Sequence, residues 1–324
     1  MEKRTKKTTT QSGNLVPNEH SKPTTAQTPL LDYMAMLIEQ FGMVNRFGAV
    51  QNYQKAMCSI ARFLQTESDT PLAAINEEWV GRYDAFLIHN GLVRNSRSFY
   101  MRTLRAVYNR AVRQKLIPQT YPFVEVYTGV DKTRKRAIKE EVIKQLYELS
   151  LPEESPLALS RDLFLFSYFS RGMAFVDIAY LTKSNLQGGT ICYSRHKTGQ
   201  LLCVRVEPCI QRILDRYASR HSPYLFPLLS STDAVEAYRE YGRALNVYNR
   251  NLGILSRMLN CGCKLTSYTP RHSWATAARD HNVPISVISA GMGHTSELTT
   301  RIYLTSLDNS IIDTANREIL SWLE

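Results

Sequence analysis

Residues 268–304, YTPRHSWATAARDHNVPISVISAGMGHTSELTTRIYL, hold the pattern from which the rest of the chain is read. Thr269 can cap a helix, and Pro270 fits its first position. Arg271 and His272 then fall in the first turn. Free backbone N–H groups and the positive end of the helix dipole make that turn a natural phosphate site. A cation there is unfavourable unless an anion binds, so Arg271 reads as an anion ligand with a planar, permanently charged fork. Gly291 and Gly293 close a second helix and His294 follows. Thr295 or Ser296 can cap a third helix, and Tyr303 lies nine residues beyond His294 on it. Taken singly, His294 is a weak signal, and Tyr303 beside Ile302 and Leu304 would be an ordinary core aromatic.

Upstream, TICYS, RHKTG and QLLCVRV (190–206) spell a β-hairpin with Lys197 in its turn. Ile191 alternates with Cys192 and Tyr193; Leu202, Val204 and Val206 share a face. Before it, Leu157–Phe169 reads as a buried apolar helix that Arg171 closes. A break at Arg171-Gly172 follows, and then Phe175–Leu181 with Asp177. Residues 137–324 thus form one mainly helical domain with a small antiparallel hairpin. Its last segment, IIDTANREILSWLE, carries an apolar stripe of Ile311, Ile312, Ala315, Ile319, Trp322 and Leu323.

Residues 29–117 are helical throughout, and Gly91 is a plausible stop before the last of four helices. That helix, at about 95–116, sets Tyr100, Met101, Leu104, Val107, Tyr108 and Ala111 on one side. Arg102, Arg105, Arg110 and Arg113 lie on the other. Solvated faces usually mix signs, yet 93–115 holds seven basic residues and no acid, which points to DNA phosphate contact. Residues 118–136 read as a linker with Pro118, Pro122 and Gly129, ending in a basic run whose Arg134 and Arg136 are further DNA contacts. Residues 1–28, polar and basic, read as a flexible tail.

Composition agrees. The 324 residues carry 40 Lys and Arg against 29 Asp and Glu, a net charge of +11 that suggests a polyanionic partner. With 44% hydrophobic and 21% charged residues the chain is ordinarily globular, which excludes a disordered or fibrous protein. No apolar run approaches the roughly 18 residues of a membrane helix, so no membrane partner is expected. Six cysteines without dense spacing do not make a disulfide framework; Cys58, Cys192, Cys203 and Cys209 read as core thiols in a reducing cytoplasm. Cys261-Gly-Cys263 lacks a second ligand pair, and no carboxylate cluster suits two Mg²⁺ ions, so neither metal nor cofactor is expected.

The combination of Arg-His-x-Trp-x-x-x-Ala, Gly-His 22 and 23 residues after that Arg, and Tyr nine residues further resembles the tyrosine recombinase (phage integrase) family. Lys197, Arg171 and Asp177 occur in the family's order. The resemblance implies a SAM-like core-binding domain at 29–117 and a catalytic domain at 137–324. It implies that Tyr303 cuts one DNA strand as a 3′-phosphotyrosyl ester. Arg171 and Arg271 would clamp the phosphate, His294 would donate a hydrogen bond, and Lys197 would protonate the leaving oxygen from a flexible hairpin. Asp177, His272 and Trp274 would support them. The partner would be double-stranded DNA with paired recombination sites, held by a homotetramer that is a monomer or dimer in isolation. Integration, excision and inversion all remain open outcomes. The pattern departs from the family twice. Its first arginine usually stands three residues before the acid, where this chain has Ala174, and Arg171 lies one helical turn earlier. A histidine is usual three residues before the second arginine, where this chain has Tyr268. A type IB topoisomerase-like enzyme and a non-catalytic DNA-binding regulator are the alternatives.

Overall fold

The computed structural model describes residues 25–65, 69–131, 137–217, 222–294, 296, 297 and 300. The chain divides into two compact units, Met1–Asp131 and Lys132–Glu324. No helix among the described residues is long and apolar enough to cross a membrane.

The first unit is built from α1 (Leu30–Met43), α2 (Phe47–Phe63), α3 (Glu77–His89) and α4 (Arg94–Arg113). Asn76 caps α3 by accepting the Trp79 amide at 2.9 Å. Gly91, in the left-handed region at φ 71°, turns the chain between α3 and α4. The expected stripes form the core: Leu30, Met34 and Leu37 from α1, Ile60 from α2, Trp79, Tyr83 and Leu87 from α3, and Met101, Leu104, Val107, Tyr108 and Ala111 from α4. Its buried tyrosines keep their hydroxyls satisfied, as burial of a polar tip requires. Tyr33 donates to Gln114 Oε1 at 2.6 Å, Tyr83 to Ser59 Oγ at 2.9 Å and Tyr108 to the Pro118 carbonyl at 3.0 Å.

The second unit contains α5 (Glu140–Glu148), α6 (Pro156–Phe169), α7 (Phe175–Ala179), β1 (Leu186–Gln187), β2 (Thr190–Ser194), β3 (Leu201–Arg205), α8 (Pro208–Tyr217), α9 (Ala234–Met258), α10 (Thr269–Asp280) and α11 (Ile285–Met292). Helix α6 is its axis. Ser155 caps it through the Ala158 amide at 3.1 Å, and α5, α8, α9 and α10 all pack on it. Because it is surrounded, it buries polar residues too, and these are paired. Asp162 accepts from Arg161 Nε at 2.8 Å, from Arg216 at 2.5 Å and from the Tyr217 hydroxyl at 2.8 Å.

The three strands form one antiparallel sheet in the order β1-β2-β3. Gly188 and Gly189, both at positive φ, make the tight turn from β1 to β2 that favours such residues. The expected hairpin is β2–β3, and the short strand β1 extends it to the small antiparallel sheet. One finding corrects the sequence reading: the β2–β3 register sets Cys192 directly opposite Cys203, Cα atoms 4.2 Å apart, and the two are joined as a disulfide. They are not core thiols, and Cys58 is exposed. Alternation along a strand tells which face a cysteine takes, whereas its partner depends on register.

Candidate active site

Arg271, third residue of α10, is 3% exposed. The cap beneath it differs from expectation. Tyr268 holds the N-cap position without a side-chain cap, and the Thr269 hydroxyl accepts the Thr266 amide at 2.9 Å instead. The guanidinium turns inward. It donates to the Gly172 carbonyl at 2.7 Å, to the Met292 carbonyl at 2.7 Å and to His294 Nε2 at 2.9 Å.

An arginine can only donate, so His294 Nε2 is the acceptor and the ring proton sits on Nδ1, 2.8 Å from Thr300 Oγ1. Donation from Nε2 to a phosphate requires the opposite tautomer. Burial, then the charges of Arg271, Arg195 and Lys197, pull the His294 pKa down to about 4, so the ring is neutral near pH 7.

Gly172 makes this approach possible. At φ +72° it occupies backbone space that L side chains avoid, and a Cβ there would stand 2.8 Å from Arg271 Cα. Arg171 precedes it at φ 61°, beyond the end of α6 at Phe169. The break read at Arg171-Gly172 is where the chain leaves the helix, so Arg171 stands beyond its end and not on a continuing turn. Its side chain lies over α11, where a Cβ at Gly291 would stand 3.7 Å from Arg171 Cδ, and its Nη1 lies 3.5 Å from the Cys203 carbonyl. Arg171, Arg195 and Arg271 all act on the buried phenol of Tyr193, whose pKa burial pushes up.

Lys197 is exposed in the β2–β3 turn and contributes to the field on His294. Asp177, 4% exposed in α7, accepts the His196 amide at 2.8 Å. Trp274 and His272 are half-buried; Trp274 packs with Ala275, Ile288 and Met292, and its ring would stand 3.2 Å from a Cβ at Gly291. Tyr268 is 56% exposed. Tyr303, Arg134, Arg136 and the apolar C-terminal stripe lie outside the described residues.

In the first unit, acids from other segments reach the basic helix. Arg97 meets Asp84 at 3.3 Å and Arg94 meets Asp131 at 3.5 Å. Arg102 and Arg113 are exposed, Arg105 donates to Thr128 Oγ1 at 2.9 Å, and Arg110 lies 5.1 Å over the Phe41 ring. Among the described residues no ion pair involves these last four arginines.

Arg195 is the group that sequence reasoning left out of the site. It is 7% exposed, and its Nη1 donates to the Gly293 carbonyl at 2.5 Å. Extending strand parity past Ser194 would have found it, since Arg195 follows Ile191 and Tyr193 on the buried face. Cys261 is occupied by the backbone around it, and no group of three or more His, Cys, Asp or Glu among the described residues could hold a metal ion.

The phage integrase SAM-like domain family matches residues 29–126. Tyrosine recombinase XerC of Halalkalibacterium halodurans is 22% identical over 263 residues, 78% of this chain and 85% of that protein. The fold is similar to the Tn1549 transposon integrase in complex with transposon right end DNA, with a TM-score of 0.61 at 13% identity over 91% of this chain and 100% of that one. It is also similar to a lambda integrase dimer bound to a COC′ core site, with a TM-score of 0.57 at 16% identity over 85% and 95%. A lambda integrase tetramer bound to a Holliday junction matches with a TM-score of 0.58 at 14% identity over 86% and 78%. With its helical first unit matched by the phage integrase SAM-like domain family, a recombinase relative along most of its length and the integrase fold, the chain is similar to the tyrosine recombinases (phage integrases).

Proposed function

We propose that this chain is a site-specific DNA recombinase that breaks and rejoins strands through Tyr303. The observation that carries the reading is the contact between buried Arg271 and neutral His294, with Arg171, Arg195 and Lys197 in the surrounding field. Such a cluster suits a phosphodiester whose non-bridging oxygens gain charge during displacement. The Tyr303 hydroxyl gives up its proton to water as its oxygen bonds to phosphorus, the bond to the 5′-oxygen breaks, and Lys197 supplies that oxygen's proton. A phosphoester replaces a phosphoester, so the 5′-hydroxyl of a partner strand can reverse the step without an outside energy source.

Tyr303→Phe should bind a nicked suicide duplex and form no covalent adduct; an adduct from that variant would remove Tyr303 from the role. Exchange between two paired sites, as against relaxation of a one-site plasmid, would separate a recombinase from a topoisomerase-like enzyme. The assembly proposed is four copies around two sites, with the stripe from Ile311 to Leu323 docked on a neighbouring copy. Deleting 310–324 should then spare single-site binding and reduce synapsis.

A further inference from the structure

Lys197 is exposed in a turn between two strands, so its own contacts do not fix where its amine points. The neighbouring residues do. The turn closes on Arg195, whose amide donates to the Gln200 carbonyl at 2.9 Å and whose carbonyl accepts from Gly199 at 2.8 Å. The Arg195 side chain runs inward to the Gly293 carbonyl, next to His294. His196 faces the opposite way, toward α7. Its amide donates to Asp177 Oδ1 at 2.8 Å, and its Nδ1 stands 3.3 Å from the same oxygen. Its ring lies against Tyr180, centroids 4.5 Å apart.

Asp177 adds a second observation. Among the described residues its hydrogen bonds and ion pairs go only to His196 and to Arg195, whose Nε is 4.0 Å away. A carboxylate this buried must be compensated, and here the compensation comes wholly from the two residues preceding Lys197. Helix α7 thus anchors the turn from one side while the Arg195–Gly293 bond holds it from the other.

We propose that His196 is a positioning residue for Lys197, latching the β2–β3 turn to Asp177 and Tyr180 so that the amine is held at the leaving 5′-oxygen. This rests on the reading of Lys197 as the general acid. The arrangement replaces the flexible hairpin expected from sequence with one docked before DNA arrives.

The test uses the full chain and two nicked suicide duplexes, one with the natural 5′-oxygen at the scissile bond and one with a bridging sulfur there. A thiolate leaves without a proton, because thiols are far more acidic than alcohols. Lys197→Ala should form adduct about a hundredfold more slowly than the unaltered chain on oxygen, and at nearly its rate on sulfur. His196→Ala should be about tenfold slower on oxygen and within about threefold on sulfur, a smaller share of the same general-acid contribution. His196→Asn, which keeps an N–H near the place of Nδ1, should recover most of the rate. Should His196→Ala fail to fold by thermal melting, Tyr180→Leu carries the same expectation. If His196→Ala is equally slow on both duplexes, or normal on both, while Lys197→Ala is rescued by sulfur, the latch is overturned and the general acid stands. If Lys197→Ala is slow on both, the general-acid reading fails and the latch falls with it.

Discussion

A buried arginine that already donates to two carbonyls and a histidine has its fork oriented before any phosphate arrives. Such preorganisation avoids reorganisation during the reaction, and it makes the site sensitive to its support. Gly172→Ala should displace Arg271, because the new methyl would meet its Cα and the residue would be held at φ +72°. We expect a loss of about 1–3 kcal/mol in unfolding free energy and a steep fall in adduct formation, with DNA affinity nearly kept in a shift assay. Arg171→Ala should slow cleavage about a hundredfold, as the loss of one preorganised donor does. Arg171→Lys should rescue little, because the planar fork is gone; normal cleavage by Arg171→Ala would pass the role to another cation. His294 gives a pH prediction. Its pKa falls from 6.5 to about 4 on folding, so between those values the unfolded chain binds more protons and stability falls as pH drops. Melting temperature should decline from pH 7 to pH 5 more for the unaltered chain than for His294→Asn, and equal declines would contradict the shift.

At the scale of the element, α4 and the β2–β3 hairpin show what periodicity can and cannot tell. The helix was legible: Met101, Leu104, Val107, Tyr108 and Ala111 are all buried. The basic face was legible as a face, but its arginines are not equivalent. Arg102→Ala and Arg113→Ala, both at exposed positions, should each lower the salt slope of DNA binding by about one unit. Arg110→Ala should instead lower thermal stability through lost packing over Phe41, with the slope unchanged. A slope that responds to Arg110 alone would reverse this assignment. The hairpin and its turn were legible from TICYS-RHKTG-QLLCVRV. The Cys192–Cys203 bond and the inward turn of Arg195 were not, because both depend on the partner that another segment brings. Arg171 follows the same rule: its order in the chain was readable, whereas its left-handed backbone is fixed by the packing of Gly172 under Arg271.

At the scale of the molecule, the division into a four-helix part and a mainly helical part with a small sheet was readable from stripes, breaks and charge. What places Arg271 against the Gly172 carbonyl is long-range packing of α10 on α6, which no local pattern encodes. The two main cores are separate sets of side chains, one drawn from Leu30 to Phe123 and the other from Ile143 to Leu265. Each unit should therefore melt as its own cooperative step. Calorimetry on the full chain should show two transitions, and the Met1–Asp131 unit alone should reproduce one of them; a single transition for the whole chain would argue against independence. That separation bears on descent. Substitutions that accumulate in one core call for no compensating change in the other, so the two halves of the gene are free to diverge at different speeds. A first half exchanged for that of a distant cousin would leave the chemistry of the second with an intact interior.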